Sequence, residues 1–335
     1  SDELQIDYKG VPQITLKKPG FSQQLLRSVM YINHLQLFPN TLFETVGGYR
    51  EGFEGSQDHD LALRMIEHTK PQHITALAYL WRRGSVSMSV EHGRIGNISI
   101  DASRRALEDH FERQGLTADV TPYFLVAAPG KEPQATGTFV SRIIPSAMSK
   151  ISIVIPCKLG STAVVGTDSI TVLEHCLLSI RDSFRDDKKL TSNLPELEII
   201  LVLNHEDDRE HASSLISTFD LTGFALCDEP GFNFSRKCNL GANHASGQIV
   251  VFLNDDTAFE TKGWASHVIS LLEEEDVACV GGLLLNSDRT VQSCGDNIGR
   301  NSAVHYVPNR SAATVGDAMH RYISDHETTA ISGAF

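Results

Sequence analysis

Short apolar runs rich in β-branched residues alternate with helical stripes in the second half of the chain, and this alternation constrains the fold more than any other feature. Ile151–Pro156, Leu197–Leu203 and Ile249–Leu253 are the clearest runs, and their length predicts buried strands. We predict a weaker strand at Phe224–Leu226 and a last one at Val277–Leu283. Because the stretches between them repeat apolar residues at helical spacing, the pattern predicts an α/β fold with a mostly parallel sheet and helices on both faces.

The first part of the chain lacks this alternation. The elements predicted there are helices at Leu42–Val46, Asp58–His68 and Ser103–Gln114 and a strand at Leu77–Trp81. Residues 127–150 are rich in Ala, Pro, Gly, Ser and Thr, which is typical of a linker. We therefore predict three parts: residues 1–126, a linker at 127–150, and residues 151–335.

The formal net charge of −13 falls wholly in the second part. Residues 1–150 hold 16 basic and 16 acidic residues, whereas residues 151–335 hold 13 and 26. Nonspecific nucleic-acid binding depends on neutralising phosphates, so this balance argues against a nucleic-acid partner. It leaves room for a local pocket that binds a small phosphate ligand. The apolar runs are shorter than the roughly 20 residues of a membrane-spanning helix, so no such helix is predicted.

Polar residues follow three of the predicted strands. Lys158 follows the first, Asn204 the second, and Asn254-Asp255-Asp256 the fourth. Open parallel sheets bind ligands beyond the carboxyl ends of their strands. Mg²⁺ is commonly held by one or two carboxylates together with substrate phosphates, and the last of these segments offers such carboxylates. Asp and Asn are also good turn and cap residues, so spacing alone leaves a metal site and a structural turn equally open.

An ordered set of motifs precedes and includes these carboxylates. The chain has GFNFSRKCNLGA at residues 231–242, ASG at 245–247 and VVFLNDDT at 250–257. With Ile155-Pro156 before them, these motifs resemble the family 2 glycosyltransferases of GT-A fold, including the members that build bacterial surface polysaccharides. LNDD is similar to a DXD motif. The resemblance runs through most of residues 151–335 and implies a Rossmann-like, nucleotide-sugar-binding half of that fold.

The resemblance assigns roles to residues of this half. Asp256 would be the main ligand of Mg²⁺ or Mn²⁺, with Asp255 beside it. The residues that would contact the donor are Pro156, Lys158, Asn204, Arg236, Lys237, Asn239 and Asp255. Leu203 stands where many members have an acid that contacts the base, so the identity of the base stays open.

Motifs in the first part resemble the acceptor half of the same fold. They are LFETVGGYREGF at residues 42–53 and GSQDHDLALR at residues 55–64. In the resemblance, Asp58 would be the catalytic base, and the acceptor side would include Gln57, Asp60, Trp81 and Arg82. Without the resemblance, Asp58 and Asp60 are more simply helix-start carboxylates, which the helix dipole favours.

The two halves stand in the reverse of the family's order. We expect residues 1–126 to be the acceptor-side half of one GT-A domain and residues 151–335 the donor-side half of a second. The chain would then be a segment of a protein with two transferases in tandem. The alternative is a circular permutation, in which both parts rebuild one site with Asp58 facing Asp256.

The expected function is an inverting, metal-dependent transfer of a sugar, of hexosyltransferase type, from a nucleotide-sugar donor to a saccharide or lipid-linked acceptor. Its setting would be bacterial surface polysaccharide synthesis, such as that of O-antigen. The alternatives are a non-catalytic nucleotide- or carbohydrate-binding module and, with less support, a sugar nucleotidyltransferase, which the lack of a glycine-rich phosphate loop disfavours. The expected location is cytoplasmic, because no export signal opens the chain and nucleotide sugars are supplied there. Peripheral membrane association through a lipid-linked acceptor stays open.

Overall fold

The computed structural model describes residues 1–82, 96–125, 133–165, 168–190, 195–229, 231, 233–298, 303–305 and 321–333. The chain divides into two compact units. Unit 1 comprises Ser1–Ile143 and Leu283–Thr329, and unit 2 comprises Ile144–Gly282 and Ala330–Phe335. No helix in the described ranges has the length and apolar character needed to cross a membrane.

Both units combine strands with helices. In chain order, the strands are β1 (Asp2–Ile6), β2 (Pro12–Leu16), β3 (Leu77–Arg82), β4 (Ala118–Leu125), β5 (Gln134–Ile143), β6 (Ile151–Pro156), β7 (Thr162–Val165), β8 (Asp168–Thr171), β9 (Leu197–Leu203), β10 (Gly223–Cys227), β11 (Ile249–Phe252), β12 (Leu284–Leu285), β13 (Val291–Ser293), β14 (Asp296–Ile298) and β15 (Ala303–His305). The helices are α1 (Gln23–Leu26), α2 (Asn40–Thr45), α3 (Gln57–Ile66), α4 (Gly96–Arg113), α5 (Val172–Leu190), α6 (Arg209–Thr218), α7 (Phe234–His244) and α8 (Trp264–Leu272), with a 3₁₀ turn at Glu206–Asp208.

Unit 2 is built on a four-stranded parallel sheet in the order β10-β9-β6-β11. The register places Ile153 between Ile199 and Val251. Residues of α5, α6 and α8 pack on one face of the sheet, and Leu240 of α7 packs on the other. This arrangement confirms the predicted α/β class, with a parallel sheet covered on both faces.

Burial on both faces explains the unbroken apolar runs of the strands. In β6, Ile151, Ile153 and Ile155 are fully buried in the cluster that includes α5, α6 and α8, while Val154 is fully buried on the α7 side. A Cβ added at Gly241 of α7 would lie 2.3 Å from Cγ1 of Val154. The backbone of α7 therefore approaches β6 at a distance that a side chain at this position would prevent.

Most of the predicted elements of unit 2 are confirmed, and one is wrong. The strands at 151–156 and 197–203 have the predicted bounds, and those near 224–226 and 249–253 agree to within a residue at each end. Val277–Leu283 forms no strand in the structure. A Cβ at Gly281 would lie 2.8 Å from Cβ of Ile331, so this segment packs against the last residues of unit 2 instead of extending the sheet.

Unit 1 has its own core between α1, α3, α4 and the antiparallel pair β4–β5. Leu25, Leu63, Leu107 and Phe139 are among its fully buried members. The strands β2, β1 and β3 form a separate small sheet. Residues 134–143 of the segment predicted as a linker form β5, because Phe139 and its neighbours are needed to cover this core.

The segment 283–329 is attached to the first part of unit 1 through Glu327. Its carboxylate accepts a hydrogen bond from the Ser22 hydroxyl and another from the Gln23 N–H, at 2.9 Å, at the start of α1. The backbone N–H groups there are among those that a helix leaves unsatisfied at its N-terminus. A remote acidic residue thus serves as a cap for this short helix.

A buried carboxylate joins three backbone segments at the amino-terminal edge of the unit 2 sheet. Glu198 accepts hydrogen bonds from the Ser152 hydroxyl at 2.6 Å and from the Ser246 N–H and hydroxyl at 2.9 and 2.6 Å. Burial opposes its ionisation, but these bonds and Lys150 lower the pKa of Glu198 to about 2. The ionised form is therefore part of the folded structure.

We expect Glu198→Gln to lower the free energy of unfolding at pH 7 by about 1–3 kcal/mol, because the new amide NH₂ faces groups that themselves donate. Since the pKa of Glu198 is depressed, its stabilisation is complete above the ordinary value of 4.5 and is lost as the pH falls toward 2. The difference between the two proteins should shrink over that interval. Urea unfolding at several pH values measures it. The exposed neighbour variant Glu196→Gln is the control, and an equal loss in both would contradict the assignment.

We expect Gly241→Ala to destabilise unit 2 by about 1–3 kcal/mol, because the added methyl overlaps Val154. Combining it with Val154→Ala should recover part of the loss, so the double variant should be more stable than the sum of the single changes predicts. Ser235→Ala, at an exposed position of α7, controls for helix propensity. Additive losses measured by denaturant unfolding would show that the close approach has no energetic consequence.

Candidate functional site

The carboxyl end of β6 is the topological switch point of the unit 2 sheet. The connections through α5 and α6 lead from β6 to β9 and β10 on one side, and the connection through α7, on the opposite face, leads to β11 on the other side. Open α/β sheets bind ligands in the crevice that such a reversal leaves. The polar residues that follow β6, β9 and β11 therefore border the best candidate site.

Asp255 and Asp256 follow β11 at this edge. Asp255 is partly buried, and its Oδ2 accepts a hydrogen bond from the backbone N–H of Lys158 at 3.2 Å; Asp256 is exposed. Burial raises the pKa of Asp255, and the neighbouring Asp256 carboxylate raises it further against the effect of that hydrogen bond. Thr257 fixes the turn by donating its hydroxyl to the Asn254 carbonyl at 2.6 Å. A cation at this point would relieve the repulsion between the two carboxylates.

The donor set fits a divalent cation bound together with a phosphate ligand. Over the described ranges, no group of three or more His, Cys, Asp or Glu side chains is arranged to hold a metal ion. Mg²⁺ is usually bound through only one or two carboxylates, and substrate phosphates and water complete its oxygen ligands. Asp255 and Asp256 can supply these two carboxylates, and a phosphate ligand bound beside them would tighten the binding of such an ion.

Asn204 follows β9 on the other side of the crevice from β11. Its side-chain Oδ1 is buried and has no hydrogen-bond partner within the described part of the chain. Buried polar atoms in folded proteins are rarely left unpaired, so this oxygen is a candidate ligand contact. Leu203, at the position where the resemblance leads us to expect an acid, is buried in the core of unit 2.

Arg236 is held by the protein itself. Its guanidinium donates to both carboxylate oxygens of Asp228, at 2.7 and 2.9 Å, and to the carbonyls of Glu229 and Gly231 at 3.1 and 3.4 Å. This ion pair lowers the pKa of Asp228, which follows β10. Asp228 was not among the predicted site residues, although an acid directly after a strand is a recognisable signal. Arg236 thus links Asp228, Glu229 and Gly231 to α7.

Lys237 differs most from its predicted place. It was predicted to contact the donor, but its side chain is buried beneath the strands, and Nζ donates to the carbonyls of Cys157 at 3.2 Å and Val202 at 3.0 Å. Burial lowers the pKa of Lys237.

Two further predicted donor contacts stay predictions. Asn239 is exposed on α7, and Pro156 is buried at the end of β6. Neither residue shows a contact that tests its predicted role.

The residues predicted for the acceptor side belong to unit 1. Asp58 lies in the first turn of α3, is partly exposed, and accepts the N–H of His59 at 2.9 Å. The ring Nε2 of the buried His59 lies 2.8 Å from the Leu26 carbonyl, and this hydrogen bond anchors the start of α3 to the end of α1. The carboxylate of Asp58 therefore sits on a fixed backbone.

Asp60 is fully buried and engaged in two ion pairs. Arg64 donates to its Oδ2 at 2.6 Å, and Arg50 donates to Oδ1 and, through Nε, to Oδ2 at 3.2 Å. Burial alone would raise the pKa of Asp60, but these hydrogen bonds hold it below its ordinary value. Arg64 also donates to the Gly48 carbonyl at 2.7 Å. Asp60 thus holds the Gly47-Gly48 turn against α3 and is not itself exposed to an acceptor.

The remaining predicted residues lie at the surface of unit 1 or close to it. Gln57 is exposed and accepts the N–H of Gly55 at 2.8 Å. The ring of Trp81 is partly buried, with its centroid 5.1 Å from that of His34. Arg82 is exposed and donates to the Tyr8 carbonyl at 3.4 Å. Arg83, Gly84 and Ser85, which follow Arg82 directly, lie outside the described residues.

Comparison with known proteins gives a family and two relatives. Residues 152–310 match the family described as "Glycosyl transferase family 2". The chain is 31% identical over 300 residues to the O-antigen biosynthesis protein RfbC of Myxococcus xanthus, covering 89% of this chain and 21% of RfbC. It is also 31% identical over 289 residues to the uncharacterized protein y4gI of Sinorhizobium fredii, covering 84% of this chain and 29% of that protein.

The chain thus spans less than a third of the length of either relative. No solved structure matches it significantly. The matched segment begins in β6 and contains the switch point, both carboxylates after β11 and the other three strands of the parallel sheet. Residues 152–310 of this chain therefore belong to glycosyl transferase family 2.

Proposed function

We propose that the chain is part of an inverting, metal-dependent glycosyltransferase that moves a sugar from a nucleotide-sugar donor to a saccharide or lipid-linked acceptor in bacterial surface polysaccharide synthesis. The observation that supports the proposal is that Asn204 follows β9 and that Asp255 and Asp256 follow β11, the two strands that flank β6 in a family 2 domain. The similarity to RfbC, an O-antigen biosynthesis protein, supports the polysaccharide setting. Nucleotide sugars place this activity on the cytoplasmic side of the membrane.

The donor half of the reaction uses residues of unit 2. Asp255 and Asp256 would hold Mg²⁺ or Mn²⁺, which supplies positive charge to the departing nucleoside diphosphate. The N–H of Lys158 fixes the orientation of Asp255. Asn204 offers an acceptor oxygen to an N–H group of the nucleobase, such as the imino group of uracil, thymine or guanine.

The acceptor half needs a group that removes a proton from the attacking hydroxyl. In the transferase to which residues 1–126 belong, we assign this role to Asp58, because it is accessible and its backbone is anchored through His59. Attack on the anomeric carbon with departure of the diphosphate inverts the configuration and needs no covalent enzyme intermediate. Asp60, Arg50 and Arg64 keep α3 in place, and Gln57, Trp81 and Arg82 are the proposed acceptor contacts.

We expect UDP, GDP or dTDP to bind in the presence of Mn²⁺, and we expect Asp256→Asn to weaken that binding at least about tenfold. The substitution removes a metal ligand at an exposed position, so the fold should be unaffected. Isothermal titration calorimetry with each nucleotide measures this and identifies the base. Asp276→Asn, an exposed change of equal charge in unit 2, is the control. Absence of binding by every nucleotide in the unaltered chain would contradict the donor site.

We expect Asp58→Asn to lower the rate of sugar transfer by about 10²- to 10⁴-fold while leaving nucleotide affinity unchanged, because only the acceptor proton is affected. Radiolabelled donor measures transfer, and the exposed Glu51→Gln is the control. Unchanged transfer by the transferase to which residues 1–126 belong, assayed in a longer protein that contains it, would remove Asp58 from the mechanism. Metal-dependent binding with no transfer in the full-length protein would favour the alternative of a non-catalytic nucleotide-binding module.

The same variants separate the two domain arrangements. If Asp58 and Asp256 serve one site, each substitution alone should abolish metal-dependent turnover of the donor, and the double variant should be no worse. If they serve two transferases in tandem, Asp58→Asn should leave the nucleotide-dependent reaction of residues 151–335 intact. Donor turnover by the chain and by a longer protein that contains it gives this comparison.

A further inference from the structure

Lys237 is a fully buried charged residue in the described part of unit 2. It lies on α7, and its side chain, at 1% relative exposure, is among the largest fully buried side chains of the chain. Burying an ammonium group costs free energy unless good partners compensate, and an apolar residue of similar size is often no worse for stability. The position of the charge therefore calls for a role that a methionine could not fill.

The ammonium group contacts the backbone where β6 and β9 end. Nζ donates to the carbonyl of Cys157 at 3.2 Å and to that of Val202 at 3.0 Å. The Val202 carbonyl also accepts the N–H of Cys157 at 3.0 Å. Lys237 thus joins the ends of β6 and β9 at the carboxyl edge of the parallel sheet.

The Cys157 carbonyl belongs to the same peptide unit as the Lys158 N–H, which donates to Asp255. The carbonyl of Cys157 and the N–H of Lys158 are the two ends of one planar peptide, and in a trans peptide they point in opposite directions. The carbonyl accepts from Lys237, and the N–H donates to Oδ2 of Asp255 at 3.2 Å. A continuous path therefore runs from the buried ammonium through one peptide to the carboxylate.

We propose that Lys237 is a positioning residue, which orients and polarises the 157–158 peptide so that its N–H holds the Asp255 carboxylate for cation binding. Hydrogen bonds in such a chain strengthen one another, and those to charged groups are the strong ones. Lys237 does not touch the donor. The effect of Lys237 on catalysis rests on the proposed function. The structural link between Lys237 and Asp255 is independent of that function.

The link is tested in the chain without metal or nucleotide. With ¹⁵N-labelled lysine, the backbone amide of Lys158 can be followed by its chemical shift and its hydrogen-exchange rate. Lys237→Met should move this resonance upfield and speed its exchange at least about tenfold, since the polarising cation is lost. Lys237→Arg, which keeps a cation with several donors, should retain more of the native signal. The exposed Lys262→Met is the matched control and should leave the Lys158 amide unchanged.

A folded Lys237→Met protein with a native Lys158 amide would overturn the proposal. If that variant does not fold, Lys237→Gln takes its place, because it keeps a donor and removes the charge. A further comparison leaves Lys237 intact. Asp255→Asn should perturb the Lys158 amide and the ¹⁵Nζ signal of Lys237, whereas Asp256→Asn, which removes an equal charge one residue away, should perturb them much less. Equal effects would exclude a path through the peptide.

A second readout connects the link to function. The affinity for Mn²⁺ alone, measured from the free Mn²⁺ signal in electron paramagnetic resonance, should fall about tenfold in Lys237→Met and recover in Lys237→Arg. Unchanged Mn²⁺ affinity together with a disturbed Lys158 amide would overturn the functional part of the proposal. Absence of Mn²⁺ and nucleotide binding in the unaltered chain would instead contradict the proposed function, and the amide measurements would still decide the structural link.

Discussion

The position of β6 at the centre of the parallel sheet is the constraint on which the rest of unit 2 depends. Because β9 and β11 pair with its two edges, the connections that lead to them run in opposite directions and cover opposite faces of the sheet. The runs Ile151–Pro156 and Leu197–Leu203 are apolar on both faces for the same reason. The order of the strands therefore determines both the packing of unit 2 and the position of its candidate site.

Two basic residues near the crevice, Arg236 and Lys237, form hydrogen bonds with other groups of the protein. Arg236 is committed to Asp228 and two carbonyls, and Lys237 to the carbonyls of β6 and β9. The carboxylate of Asp256 stays exposed. A diphosphate entering this edge meets the carboxylates of Asp255 and Asp256, and their negative charge is the physical reason for a divalent cation in the proposed reaction.

Much of unit 2 could be predicted, because its elements are defined by local apolar patterns. Residues of β6, β9 and β11 bury side chains on both faces, so length and β-branching identify them. Val277–Leu283 has a similar composition, but its path is decided by a contact with Ile331, about fifty residues away. Likewise, the composition of residues 134–143 is typical of a linker, but in the structure they form β5, which packs in the core of unit 1. Such long-range packing leaves little trace in a short window of sequence.

In the candidate site, the roles expected from the motif differ from the contacts that some of the residues make. The rule that ligands bind beyond strand ends selects Asp255 and Asn204, which follow β11 and β9 of the parallel sheet. The motif assigns contact with the donor to both Arg236 and Lys237. Successive residues of a helix point about 100° apart, so the two side chains leave the helix in different directions. Lys237 stands three and four residues before Leu240 and Gly241, which pack on the sheet, so helical spacing alone predicts that it faces inward. A charged residue on the apolar stripe of a helix should therefore be assigned first to the backbone beneath it.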